Sequence, residues 1–550
     1  MSEPFLTITS LGGLGEIGLN CQMWETDRGM ILVDCGIMFP DDLQLGVDVV
    51  IPPLNPIVER REQLLGVILT HGHEDHIGAV PWLLSCIKGL ILYGSPFTLS
   101  LVGDKLRERG LMDRAQLVPV TPRDDVELGN LRFRFLPVSH SIPQGYALAV
   151  ESPVGRVIHT GDFKVDNRSI DGKGTNLETF REFAGKGARL LLSDSSNVEV
   201  AGHSRPEGVV KETLRDIFAA AGGRIVLTLF SSHIERIQSV FEIAKEFDRA
   251  VVISGRSLNN NIEKAQEHGF LQHPPQLYAD QDQAVPDLPP DRVIILATGS
   301  QGEPWSALTR IAMGEHKYLS IQEGDTVIMS SRTIPGNAQA VNRLINQMYK
   351  LGARVMHEGV HATGHGHREE LRAMLAAVRP EVFVPIHGEY RHLARHRDLA
   401  LECGVAPGNA LMLDDGQPLT LYRDRFELND RIPAESLLVD GKGVGDVGAL
   451  VLRERQLLGA AGVVVVSLIL DAVTGKLLHG PDIVSRGFVF TQHFEHVLDD
   501  AKRLVLNQLE ERLETDGIER LGDRIRSSTR GFFRKVMGRD PMVLPIIMEL

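Results

Sequence analysis

Short apolar runs alternate with polar turns from Phe5 to about Val200. The runs "MILVDCG", "LGVILTHG", "LILYGS", "LRFRFLPVSH", "RVIHTGDF" and "RLLLSDSSN" each read as a β-strand that ends in His, Asp or Ser. Functional groups therefore collect on loops at one edge of a sheet. Between His76 and Gly89 the run "IGAVPWLLSCIKG" has helical spacing, which puts Asp75 and His76 near a helix N-terminus. A second rhythm starts near Glu207, where "RIVLTLF", "AVVISG", "RVIILATG" and "DTVIMSS" alternate with helical patterns such as "HIERIQSVFEIAKEF" and "NAQAVNRLINQMYKLG". That alternation predicts a small parallel α/β unit, with the polar, proline-rich "YADQDQAVPDLPPD" as a loop inside it. From about Ala353 the first rhythm returns in "ARVMHEG" and "VFVPIHGEYRH", so the α/β unit reads as an insertion. The expected boundaries are 1–206 and 353–421 for the two parts of the first unit, and 207–352 for the insertion. A linker follows over 422–455, around "DGKGVGDVG". A small C-terminal α+β unit over 456–550 holds the strand "GVVVVSLIL" and the amphipathic helix "HVLDDAKRLVLNQLEERLE".

Length and composition agree with several globular domains: 550 residues, 43% hydrophobic and 24% charged, with no apolar run long enough to span a bilayer. The start "MSEPFLTITSLGG" lacks a basic segment followed by an apolar core, so no signal peptide and a cytoplasmic location are expected. Cys21, Cys35, Cys86 and Cys403 show no CxxC spacing and read as reduced thiols. The net charge of −14 weighs against a nucleic-acid partner as a global sum. Bound divalent cations would nevertheless concentrate positive potential in one channel.

The densest chemistry lies in "ILTHGHEDHIGAV", where His71, His73, Asp75 and His76 follow directly on a strand. Spacing by two along extended chain points His71 and His73 to one face, and the next helical turn carries Asp75 and His76 around a second point. Two adjacent ions fit that arrangement, and a turn of backbone-bonded histidines is the blander alternative. Further ligands must come from other strand ends: His140 in "PVSHSIP", Asp162 in "HTGDFK" and His387 in "VPIHGEY". The glycines of "LGGLGEIG" shape a hairpin, because "LNCQMWET" continues as strand where a dinucleotide-binding fold would open a helix.

These motifs resemble the metallo-β-lactamase superfamily, with Asp34 in "LVDCG", the "HGHEDH" cluster, His140 and Asp162. Asp194 in "LLSDSSN", His365 in "ATGHGH" and His387 extend the resemblance to β-CASP nucleases. "LGGLGEIGLNC", "DCGIMFPDD", "HTGDFKVD", "GPDIVSRGFV" and "PMVLPIIMEL" extend it to the ribonuclease J family over essentially the full length. The resemblance implies an α/β fold: a metallo-β-lactamase αββα sandwich with an inserted β-CASP α/β domain and a small C-terminal α+β domain. It implies one ion on His71, His73 and His140, a second on Asp75, His76 and His387, Asp162 bridging, and Asp34 orienting the ligand loop. Zinc fits a His-rich shell without cysteine, with manganese or magnesium as alternatives.

Two close ions can activate a water and stabilise both oxygens of an in-line displacement. The resemblance implies hydrolysis of RNA to 5′-phosphate and 3′-hydroxyl ends, with Asp75, Asp194 and His365 as catalytic side chains. His365 would contact the scissile phosphate and Asp194 would hold its ring. Ser231, Ser232, Arg256, Ser331 and Arg332, at Gly- and hydroxyl-rich strand ends, form a candidate phosphate-reading wall for single-stranded RNA. By resemblance, Thr363, Gly364, His365 and His367 would form a pocket for a 5′-monophosphate. That pocket implies 5′-to-3′ exonuclease action with additional endonuclease activity, in mRNA decay and rRNA maturation. His367 departs from the Ser more usual in the family. The rivals are a small-molecule hydrolase such as a lactamase or thioesterase, a DNA-processing β-CASP enzyme, and an inactive assembly subunit. The helix near 497–514 points to self-association as a homodimer or homotetramer.

Overall fold

A computed structural model describes residues 3–166, 170, 172–272, 277–279, 288–334, 337–488, 491–510 and 517–550; most of the polar loop at 278–291 and the end of the helical run to 514 lie outside them. The chain divides into two compact units, residues 1–39 with 49–437 and residues 40–48 with 438–550.

The first unit contains two facing sheets. One has eight strands in the order Phe426–Leu428, Leu419–Leu421, Leu6–Gly12, Cys21–Thr26, Gly29–Val33, Leu64–Ile68, Leu90–Gly94 and Ala115–Pro119. The other has six, in the order Val382–Ile386, Leu190–Asp194, Gly155–His159, Gly145–Ser152, Leu131–Val138 and Asp125–Leu128. Strand periodicity decides what each sheet buries. Phe133, Phe135, Leu190, Leu192, Val382 and Val384 enter the core shared with Ile8, Trp24, Ile31, Val33 and Ile68. Their neighbours Leu136, Leu191 and Phe383 turn outward beneath the helices Leu177–Ala184 and Arg368–Val378, packing on Phe180, Leu371 and Met374. This is the expected helix-covered pair of sheets.

The inserted unit has five parallel strands, ordered Ala250–Ser254, Val293–Ala297, Ile225–Thr228, Thr326–Met329 and Arg354–Met356. Both faces are covered, which is why its strands read as continuous apolar runs. The strand Arg354–Met356 completes this sheet, so "ARVMHEG" belongs to the insertion and the return to the first unit comes after it. Its three-residue length left no periodicity by which sequence could assign it.

The second unit packs the helices Thr491–Glu510 and Ile518–Met537 on one face of a sheet ordered Leu477–Arg486, Val463–Leu470 and Met542–Glu549. The stretch 422–455, read as a linker, instead carries ordered elements. These are the edge strand Phe426–Leu428, the paired strands Leu437–Asp440 and Gly443–Val444, and the start of the helix Ala449–Ala461. Strands this short and polar carry too little alternation to stand out. Among the described residues no helix is long and apolar enough to cross a membrane.

Candidate active site

The strand Leu64–Ile68 ends just before the histidine cluster. His71 and His73 follow it, and His73, on extended backbone, occupies the N-cap position of the short helix Glu74–Ile77, which carries Asp75 and His76. His140, Asp162 and His387 arrive from the ends of three strands of the six-stranded sheet. Two donor groups result: His71, His73 and His140, and Asp75, His76, Asp162 and His387, each with its ligand atoms within 4.8 Å of one another. Asp162 Oδ2 stands between them, 3.2 Å from His76 Nε2, 3.3 Å from His387 Nε2, 3.7 Å from His71 Nε2 and 3.8 Å from His140 Nε2.

Partners on the far side of each ring fix which nitrogen faces inward. His76 Nδ1 donates to Asp34 Oδ2 at 2.8 Å, and Thr70 donates from both its backbone N–H and its hydroxyl to the same carboxylate. With its proton given to Asp34, the Thr70 hydroxyl accepts from His71 Nδ1 at 3.1 Å. His140 Nδ1 donates to the Gly364 carbonyl at 2.8 Å, and His387 Nδ1 to Asn20 Oδ1 at 3.1 Å. Four Nε2 atoms are thereby turned to the centre, the ring orientation that metal-binding histidines require. Asn20, whose amide also bonds the Asp75 carbonyl at 3.1 Å, was not identified from sequence.

Electrostatics complete the fit to cations. Burial, followed by neighbouring imidazoles, holds His71 and His140 well below the usual histidine range. Burial lowers His73 to about 4. All three are neutral donors at pH 7. Burial opposes ionisation of Asp162, but His387 and His76 outweigh it and keep the carboxyl ionised. For His76 burial is likewise outweighed, here by Asp162, Asp75 and Asp34, so its ring is held cationic. A buried ring of carboxylates that draws a proton onto a histidine is a site that divalent ions would neutralise.

Close backbone approach sustains this geometry. A Cβ on Gly36 would lie 1.6 Å from the Asp75 carbonyl oxygen, and one on Gly364 would lie 2.6 Å from His140 Nδ1. The glycine-rich "LGGLGEIG" also meets the site as expected for a hairpin segment. Leu14–Gly15 pairs with Gly388–Glu389, and His387 N–H donates to the Gly13 carbonyl at 3.1 Å.

His365 lies beside the donors, its ring centroid 4.9 Å from that of His140 and 5.5 Å from that of His387. Its Nδ1 donates to Asp194 Oδ2 at 2.7 Å, while Ser196 donates from its backbone and hydroxyl to Asp194 Oδ1. Burial alone would lower the ring's pKa, but Asp194, helped by Asp162 and Asp75, raises it to about 9. With 24% of its side chain exposed, the imidazolium is open to a ligand.

Asn197, also missed in the sequence, organises the adjoining loops. Its amide donates to Thr363 Oγ1 at 2.8 Å and to the His365 carbonyl at 3.3 Å, and its Oδ1 accepts from Arg332 at 2.6 Å. Its one signal was proximity to Asp194 in "SDSSN". The buried Arg236 holds the same region by bonding Glu207, Ser330 and the Val360 carbonyl. His367 caps the helix Arg368–Val378. Ser231, Ser232, Arg256 and Ser331 stand just beyond strands of the five-stranded sheet. Among the described residues no hydrogen bond joins those four to the donor set; Arg332 is the wall residue tied to the neighbouring His365 loop, through Asn197.

Comparison with known proteins finds a family match for successive segments of the chain. Residues 18–255 match the metallo-beta-lactamase superfamily, 222–348 the beta-CASP domain of ribonuclease J, 349–406 a Zn-dependent metallo-hydrolase RNA specificity domain, and 450–550 the ribonuclease J C-terminal domain. The chain is 38% identical over 559 aligned residues to Ribonuclease J of Thermus thermophilus, covering 100% of this chain and 96% of that one. It is 39% identical to Ribonuclease J of Synechocystis, covering 92% and 79%. A crystal structure of an Enterococcus faecalis protein of unknown function aligns with a TM-score of 0.54 at 17% identity, over 76% of this chain and all of that one, which supports the fold alone. With identity of this order running through every unit described above, the chain belongs to the ribonuclease J family.

Proposed function

We propose that this chain is a metal-dependent ribonuclease acting on single-stranded RNA. In this reading His71, His73 and His140 would hold one divalent ion and Asp75, His76 and His387 a second, with Asp162 available to both. The donor set favours zinc, with manganese or magnesium as alternatives. Bound there, two ions would activate a water and offset negative charge on the phosphate. The chain's own residues do the rest. Asp75, with 29% of its side chain exposed where Asp162 is buried, is the carboxylate that can take a proton from an entering water. The His365 imidazolium donates from Nε2 to a phosphate oxygen, and Asp194 Oδ2 keeps the ring charged and oriented.

The observation that carries this reading is the His365–Asp194 pair standing against the Asp162-centred donors. A small-molecule hydrolase has no use for a part-exposed imidazolium, held by a buried carboxylate and tethered through Asn197 to an inserted domain. Thr363, Gly364, His365 and His367, in the loop that leads into the helix Arg368–Val378, bring a hydroxyl and two imidazoles suited to a 5′-monophosphate. End recognition would yield 5′-to-3′ removal of nucleotides, and strands threading without a docked end would be cut internally. End-labelled RNA carrying a 5′-monophosphate is expected to release mononucleotides, and the 5′-triphosphate form is not. Equal release from both would overturn end recognition; intact RNA, or equal cutting of a matched DNA, would overturn the ribonuclease reading.

Self-association is part of the proposal, as a homodimer or homotetramer of the second unit. The sheet face away from its helices leaves Val484, Leu544, Ile546 and Met548 exposed, an apolar surface suited to a second copy. Leu544→Glu combined with Ile546→Glu is expected to reduce the sedimenting species to a single chain. An unchanged assembly would exclude this face.

A further inference from the structure

Trp305 is 86% exposed, the most solvent-accessible aromatic side chain among the described residues. It is not on a loose loop. The Ser306 N–H donates to the Glu303 carbonyl at 3.1 Å, closing a turn with Pro304 and Trp305 at its centre, and the Ser306 hydroxyl caps the helix Ala307–Ala312. Gly302 presses on the helix Ala338–Lys350 so closely that a Cβ there would lie 2.8 Å from the Ala340 carbonyl carbon. The indole is therefore held out into solvent by fixed backbone.

The turn is wired to the active site. Gln301 donates to Ser331 Oγ at 3.3 Å and to the Arg332 carbonyl at 3.0 Å, and it accepts from the Ile334 N–H at 2.8 Å. Arg332 in turn bonds Asn197, which bonds the His365 carbonyl. The segment that carries the indole is thus bonded through Gln301 to the loop of Arg332 and the 39% exposed Ile334, and Arg332 leads on to the His365 loop. An exposed aromatic joined by a bonded loop to a candidate phosphate-reading cation fits the way proteins hold unpaired nucleic acid, base on ring and backbone on charge.

We propose that Trp305 is a stacking platform for a nucleobase of the RNA strand, at a position away from the cleaved bond. The inference rests on the ribonuclease reading above. Because the contact is remote from the reacting atoms, it contributes to binding rather than to the chemical step.

Steady-state cleavage of a long single-stranded RNA by the full chain tests this. Trp305→Ala is expected to raise KM about tenfold, within the range alanine substitution gives for base–aromatic stacking, with kcat unchanged. Trp305→Phe should recover most of the loss. The Ala penalty should disappear on a strand of the same length made abasic beyond its cleaved end. Since the side chain is solvent-exposed, its loss removes nothing from the core. A wild-type KM for Trp305→Ala, or an equal penalty on the abasic strand, overturns the inference while leaving the ribonuclease reading intact. So does a changed oligomeric state with unchanged KM, which would make Trp305 a contact between copies. Failure of the unmodified chain to cut RNA would sink the reading and the inference together.

Discussion

Replacing Asp162 by asparagine is expected to reduce RNA cleavage on the order of a thousandfold or more while the protein stays folded. Asp162 Oδ2 lies within 4 Å of inward-facing nitrogens from both donor groups: His71 and His140 on one side, His76 and His387 on the other. An amide fills the same volume, so the surrounding packing has no cavity to absorb. It removes the charge, and a neutral oxygen is a poor ligand to share between two cations. Metal-assisted charge stabilisation is worth several kcal/mol in such reactions, and each 1.36 kcal/mol is a factor of ten in rate. The metal content of the purified variant, by mass spectrometry, should fall below two ions per chain. Asp34→Asn provides a graded comparison. Its carboxylate acts through Thr70 and His76, so metal affinity should weaken only about 10- to 100-fold. A D162N protein with wild-type rate and full metal content would refute the assignment.

The donors were legible because metal chemistry restricts residue type. Four of them sit in one six-residue run, and the other three follow strands that periodicity located independently. The residues that aim them were not. Asn20 bonds the Asp75 carbonyl 55 positions away, and Asn197 bonds Thr363 across 166. An asparagine after a strand has many ordinary uses in turns. Gly36 and Gly364 acquire their necessity only when Asp75 and His140 press against them in the fold. Arg332 could be singled out with Ser231, Ser232, Arg256 and Ser331 as a strand-end group, but not separated from them, since what distinguishes it is a single bond to Asn197. Nothing in the sequence said that the ring of Trp305 would face solvent. The domain seam near residue 353 was misplaced for a related reason: the pairing that assigns Arg354–Met356 is made with a strand some thirty residues earlier.

Removing the His365 ring should act on a different step from removing a metal donor. His365→Ala is expected to slow cleavage about 100- to 1,000-fold, the usual cost of losing one donor to a developing anion, with metal content unchanged. The pH dependence separates this role from a structural one. Burial opposes charge on the ring, yet Asp194 raises its pKa to about 9. The imidazolium is therefore present through neutral pH and is lost as pH rises through about 9, so wild-type kcat at saturating RNA should fall on that alkaline side. In Asp194→Asn the charge that counters burial is gone while burial remains. The ring then releases its proton at lower pH, and the alkaline fall should move toward neutrality by more than one pH unit. Activity of that variant should recover on acidification, as far as the metal donors tolerate it, whereas His365→Ala has no ring to recharge and should show no such recovery. An alkaline limb that stays in place in both variants would mean that another group titrates there and that His365 serves only to pack the loop.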